Sequence, residues 1–188
     1  YQQVQDNGSY NMFGCRADLE RNSILFEGEF AMQSSHHIKA NLLSLNLGYK
    51  TDQFDWIKSL TAGLDIVSGD DSKTDELEGF SKYFGARHKH HGYYDYSSHK
   101  KYFGHAHEGL QELNLKGKFN FLASSNLLVA MHSFSSHDGI TKYGNELDLI
   151  IKRKVSDELS SEFGLVFYDP EEGNDLLTFM YVMFTANF

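Results

Sequence analysis

The feature that most constrains this chain is an alternation of apolar and polar residues with a period of two. Leu113, Leu115, Phe119 and Phe121 alternate with Glu112, Asn114, Lys116, Lys118 and Asn120. Leu147, Leu149 and Ile151 alternate with Glu146, Asp148 and Lys152, and Phe163, Leu165 and Phe167 with Glu162, Gly164 and Val166. Successive side chains of a strand point to opposite faces, so such segments form strands with one apolar and one polar face. About nine are expected on this pattern, at residues 9–19, 23–33, 38–50, 54–67, 109–121, 126–136, 143–154, 159–168 and 176–188. Each is about ten to fourteen residues long, enough for a tilted strand to cross a bilayer. A soluble sandwich has the same alternation, so the connections have to discriminate.

Turns near 20–22, 51–53, 122–125 and 155–158 are short. Those near 68–108, 137–142 and 169–175 are longer and alternate with the short set, and 34–37 joins the long set by parity though not by length. Short periplasmic turns and long outer loops are the pattern of an outer-membrane barrel. No run approaches the roughly 18 apolar residues of a spanning helix. A mean hydropathy of -0.46 is compatible with strands that show lipid only every second residue. Pro170 is the one proline, and aromatics make up 14%, both suited to long unbroken strands. Cys15 is alone, which excludes an intrachain disulfide and reads as a small strand residue. The net charge of -9 argues against a nucleic-acid partner.

The last strand places Met180, Val182, Phe184, Ala186 and Phe188 on one face. A bilayer would cover that face, and strand pairing would satisfy its backbone; a terminal Phe resembles the outer-membrane assembly signal. No charged-then-apolar leader opens the chain at Tyr1, so a mature, processed or partial polypeptide is expected. Nine strands counted back from a periplasmic Phe188 put Tyr1 outside, whereas single-chain bacterial barrels have an even strand number. The expectation is therefore the C-terminal part of a longer barrel.

The loop from Ser68 to Glu108 carries most of the candidate chemistry. Arg87, His88, Lys89, Lys100 and Lys101, with Tyr93, Tyr94 and Tyr96 among them, form a basic, aromatic knot. Folded into a lumen, its cations would select solutes by sign, and its tyrosines would offer sugars flat faces and hydroxyls; the plainer reading is a solvated outer loop. Six histidines fall between His88 and His107, and His88, His90 and His91 lie close enough in sequence to share a transition ion. Asp70 and Asp71 open an acidic stretch like a loose calcium loop, without the EF-hand pattern. For both, polar loop filler is the plainer reading, and no cofactor is assigned. Glu146 and Asp148 share a face, where pairing with Lys116, Lys118 or Lys152 is expected rather than acid–base work. His132 and Ser133 are sequence neighbours on opposite strand faces, a poor nucleophile–base pair, and no enzyme site is expected.

Leu64-Asp65-Ile66-Val67-Ser68-Gly69-Asp70-Asp71, then Phe80 and Tyr83, then His88-Lys89 and Gly92-Tyr93-Tyr94-Asp95, then Gly144-Asn145-Glu146-Leu147-Asp148 and the aromatic last strand follow in order. This combination resembles the alginate-export family of porin-like outer-membrane proteins over roughly residues 60–188, with 1–59 compatible. The resemblance implies a monomeric barrel of roughly eighteen strands, this chain being its C-terminal half. The sequence departs from the family in Phe84-Gly85-Ala86-Arg87, where a Pro-containing loop is expected, and in the added His90, His91, His99, His105 and His107. A polyanion exporter has a basic-lined pore. By alternation this lumen face carries Asp18, Glu27, Glu29, Asp65, Glu112, Glu146, Asp148 and Glu162 against Arg16, Lys116, Lys118 and Lys152. The resemblance is therefore read for fold and not for alginate itself.

The expectation is one all-β domain over residues 1–188, an antiparallel transmembrane β-barrel with a pore loop at 68–108, in the bacterial outer membrane. It would act as a passive channel or exporter for hydrophilic solutes or oligo- and polysaccharides. The candidate pore residues are Arg87, His88, Lys89, Tyr93, Tyr94, Asp95, Lys100, Lys101, Lys116, Lys118, Glu146 and Asp148. Lipid and solute are the expected partners. The alternative is a barrel that sheathes a partner protein or a metal- or cofactor-bearing chain.

Overall fold

The computed structural model of the protein describes residues 10–81, 91–94, 107–171 and 175–187. Nine strands follow one another in chain order: β1 (Asn11–Arg21), β2 (Ile24–Ser34), β3 (Lys39–Lys50), β4 (Ile57–Val67), β5 (Leu110–Asn120), β6 (Ser125–Ser135), β7 (Lys142–Lys154), β8 (Leu159–Pro170) and β9 (Leu177–Ala186). Each pairs antiparallel with the next, giving a single meander in which β1 and β9 are the edges. Among the described residues no helix is long and apolar enough to cross a membrane, which has no bearing on crossing by strands. All nine expected strands are present; β1 runs two residues later than its alternation suggested, and β9 stops at Ala186.

The cross-strand register decides which side chains share a face. Arg16 lies opposite Glu29 and Asp18 opposite Glu27, Ser44 opposite Asp65, Asp65 opposite Glu112, and His132 opposite Glu146. One face of the sheet thus gathers nearly all the ionisable groups of the wall. The other carries Leu113, Leu115, Met131, Met180, Val182 and Phe184, all exposed. Leu115 is 54% exposed, whereas Glu112 and Asp148 are 0% exposed. In water this would be an inverted protein; in a bilayer it is the ordinary arrangement of a barrel wall.

The connections at 35–38, 68–109, 136–141 and 171–176 all leave one end of the sheet, and the short turns leave the other. At the short-turn end Tyr49, Phe54, Trp56 and Phe121 are exposed, and Trp56 stacks on Phe119 with centroids 6.0 Å apart. Aromatic rings gathered at a strand end are what a membrane–water interface selects. At the opposite end, the turn between β6 and β7 is tied by Asp138. Its carboxylate accepts from the Ser136 hydroxyl and the Ile140 amide, which hold it below the usual carboxylate range.

The described parts of the long loop, residues 68–81 and 91–94, lie against the sheet. Gln33 of β2 clasps Ser81 through both ends of its amide, Nε2 donating to the Ser81 carbonyl (2.6 Å) and Oε1 accepting its N–H (3.0 Å). Leu77 bridges in parallel to Ile38, and Ser68 Oγ donates to the Glu78 carbonyl. Leu77, Phe80 and Tyr94 of the loop meet Ala31, Ala40, Val67, Leu110, Phe134 and Tyr168 of the wall in a small apolar core. This plug lies on the charged face at the long-loop end, and the strands that it leaves uncovered, β1 and most of β9, are exposed along their length.

Candidate functional site: a loop seated on a charged wall

Four adjacent strands supply a buried polar group beneath the loop. Asp65 comes from β4, Glu112 and Asn114 from β5, His132 from β6, and Glu146 and Asp148 from β7. Period-two alternation puts Glu112 with Asn114 and Glu146 with Asp148 on one face, and the register brings the four strands' polar positions side by side. His91 and Tyr94 enter this group from the loop.

Glu112 is the centre. Its Oε2 lies 2.7 Å from His91 Nδ1 and its Oε1 2.6 Å from His132 Nδ1, so one carboxylate holds two imidazoles. Asn114 Nδ2 donates to the same Oε1 at 3.3 Å. The far nitrogen of His132, Nε2, is 3.3 Å from Asp148 Oδ2, close enough for an ion pair but without the alignment of a hydrogen bond. The His132 ring stacks on Phe134, which fixes its plane. On β7, Glu146 Oε1 accepts the Tyr94 backbone N–H at 2.9 Å. Gly92, at φ +78°, passes so close to the Glu146 carboxylate that a Cβ there would collide with it.

Of the tyrosines expected to offer flat faces to a sugar, Tyr93 and Tyr94 turn one face to the wall, and Tyr96 lies outside the described residues. Tyr94 stacks on Tyr168 with centroids 5.3 Å apart, and Tyr93 on Tyr181 at 6.2 Å. Tyr168 in turn donates to the Tyr143 carbonyl at 2.7 Å. From Gln33 on β2 to Tyr181 on β9, the loop is therefore held across nearly the whole width of the sheet.

Lys116 and Lys118 sit apart from this group. With Arg16, Asp18 and Glu27 they line an open cavity of about 560 Å³ toward the short-turn end, which Asp65 reaches from the loop end. The expected pairing of Glu146 and Asp148 with lysines is not what forms. Lys152 pairs with Glu162, its cross-strand neighbour, at 2.8 Å, while Lys116 and Lys118 lie on β5, separated from β7 by β6. Their place beside Asp148 is taken by His132. Arg16 is engaged by Asp18 at 2.9 Å and Glu29 at 3.6 Å.

Asp70 and Asp71 serve the turn that opens the loop: Asp70 Oδ1 accepts the Glu78 N–H and Asp71 Oδ1 the Lys73 N–H. Of the three histidines close enough in sequence to share an ion, His91 lies with Asp65 and Glu112. Arg87, His88, Lys89, His90, Asp95, Lys100 and Lys101 lie outside the described residues. Sequence reasoning assigned Asp65 and Glu112 to the lumen wall but not to a site, and set His132 aside. The available signal was three ionisable residues on the inner face of consecutive strands, each near the end from which the long loop leaves.

Comparison with curated proteins and with solved structures returned no match. A sequence model of the alginate-export family, described as "Alginate export", matches residues 1–186 and so takes in the first 59 residues, where the motifs alone were no more than compatible. With the unbroken antiparallel meander and its outward apolar face, the match over nearly the whole length establishes that the chain belongs to the alginate-export family, a family of outer-membrane β-barrels.

Proposed function

We propose that the chain forms part of the wall, and the constriction loop, of an outer-membrane channel that passes hydrophilic solutes or oligo- and polysaccharides without an energy source of its own. The observation that carries this reading is the inversion of the sheet: exposed leucines, methionines and phenylalanines on one face, charged side chains and a seated loop on the other. The unpaired edges of β1 and β9 support closure by further strands of the same polypeptide. Selectivity would come from fixed charge at the constriction, with Arg87, Lys89, Lys100 and Lys101 on the loop and Lys116 and Lys118 facing the cavity below it. Neither of the last two makes an ion pair among the described residues, which leaves their charge to act on a passing solute.

Single-channel recording of the natively extracted protein under a salt gradient tests this. Stable conductance steps are expected, with a reversal potential that moves toward cation preference when the four loop cations are replaced by neutral residues. An unchanged reversal potential would remove the constriction role. A silent barrel would favour the alternative, a sheath around a partner protein.

A further inference from the structure

We propose that Asp65, His91 and Glu112 form a binding site for a divalent transition-metal ion, with zinc as its type ligand, that pins the long loop to the barrel wall. One ligand atom from each of the three lies within 4.8 Å of the others. Imidazole nitrogen with carboxylate oxygen is a donor set that zinc and its first-row neighbours accept. The site is built from three separate places in the chain: β4, β5 and the loop. Its parts are 5%, 4% and 0% exposed.

Two observations point to a ligand and not only to a polar cluster. Both carboxylates turn to the same ring atom, His91 Nδ1, Glu112 Oε2 at 2.7 Å and Asp65 Oδ2 at 3.6 Å. One nitrogen carries one proton, so it cannot serve both acids, whereas a cation between them serves all three. Second, among the described residues Asp65 Oδ1 is buried with no hydrogen-bond partner, an arrangement that folded proteins seldom leave in place. Around the site the other contacts are already arranged for ligation. His132 and Asn114 both hold Glu112 Oε1, which leaves Oε2 directed at the site. Partners of this kind orient ligating side chains and raise metal affinity.

Charge supports the same conclusion. Asp65, Glu112, Glu146 and Asp148 are buried together with His91 and His132. Lys116, which shares the cavity with Asp65, makes no ion pair with the group among the described residues. A divalent ion between Asp65 and Glu112 would balance two buried carboxylates with which no lysine or arginine pairs among the described residues.

The test uses the native protein in detergent, stripped with a chelator and titrated with zinc alone, with bound metal counted by mass spectrometry and affinity by calorimetry. One zinc per chain is expected. Asp65→Asn and Glu112→Gln should each weaken binding by more than the about 10- to 100-fold that loss of an outer-shell partner costs, while replacing His88 and His90 together by Gln leaves it unchanged. X-ray absorption at the zinc edge should show only nitrogen and oxygen neighbours at about 2.0–2.2 Å. If Glu112→Gln fails to fold, Asp65→Asn, which keeps the shape of the side chain, carries the test. No zinc above the detergent background, binding that survives Asp65→Asn, or binding lost with His88 and His90 would each overturn the proposal. None of these readouts involves transport, so the site stands or falls separately from the channel.

Discussion

Leu115→Arg separates a membrane wall from a soluble sheet more sharply than any other single change. Leu115 is the sixth of the eleven residues of β5 and is 54% exposed. Eleven residues at ~3.3 Å each run ~36 Å, and a tilt of ~40° reduces this to ~28 Å along the membrane normal, close to the ~25 Å apolar band of such barrels. Leu115 then lies at the bilayer midplane, where an arginine on the lipid face costs about 2–4 kcal/mol. An exposed leucine on a water-facing sheet would tolerate the same change within about 0.5 kcal/mol. Ile24→Arg is the internal control. Ile24 is also exposed but opens β2 beside the short turn, at the aromatic end, where the cost falls to about 0–1 kcal/mol. Both are read by denaturant titration of the protein folded into phosphatidylcholine vesicles, followed by tryptophan fluorescence. If Leu115→Arg costs no more than Ile24→Arg, the face does not meet lipid and the barrel reading fails.

Three further outcomes are expected. Gly92→Ala combines a left-handed backbone position with a collision at the Glu146 carboxylate; it should cost about 1–3 kcal/mol in the loop's seating and speed proteolysis of the loop, and an unaltered cleavage rate would count against the seat described here. Tyr168→Phe removes the hydroxyl that donates to the Tyr143 carbonyl inside the apolar plug. A loss of about 1 kcal/mol is expected from the denaturant midpoint, and an unchanged midpoint would show that the bond contributes nothing net. Among the described residues β1 and β9 have no outer partner, so closure within one chain predicts a native polypeptide substantially heavier than 21.5 kDa, and an intact mass at that value would refute it.

The strands and their faces were legible because alternation is a local property. Leu147 takes the opposite side from Glu146 and Asp148 whatever the rest of the chain does, and in a meander the parity of a connection reports which end it leaves. A one-residue slip would turn every lumen charge toward lipid, so the burial pattern also restricts the register. The family motifs carried the fold for the same reason. Partners across the sheet were not legible. Lys152 was a reasonable mate for Asp148 by face and charge, yet its cross-strand neighbour Glu162 takes it, and His132 fills the place.

The polar centre shows the division most directly. Asp65, His91, Glu112, His132 and Glu146 are spread over 82 positions of sequence, and no local pattern relates them. The sequence by itself determined that this chain makes about nine two-faced strands, long enough to span a bilayer, with its acids on the inner face. Only the tertiary structure decided that the loop lies back across that face, that Glu112 meets both His91 and His132, and that Gln33 holds Ser81. The physical reason is range. Strand faces follow from backbone geometry between neighbouring residues, whereas loop seating depends on which buried donors and acceptors can satisfy one another once distant strands are in register.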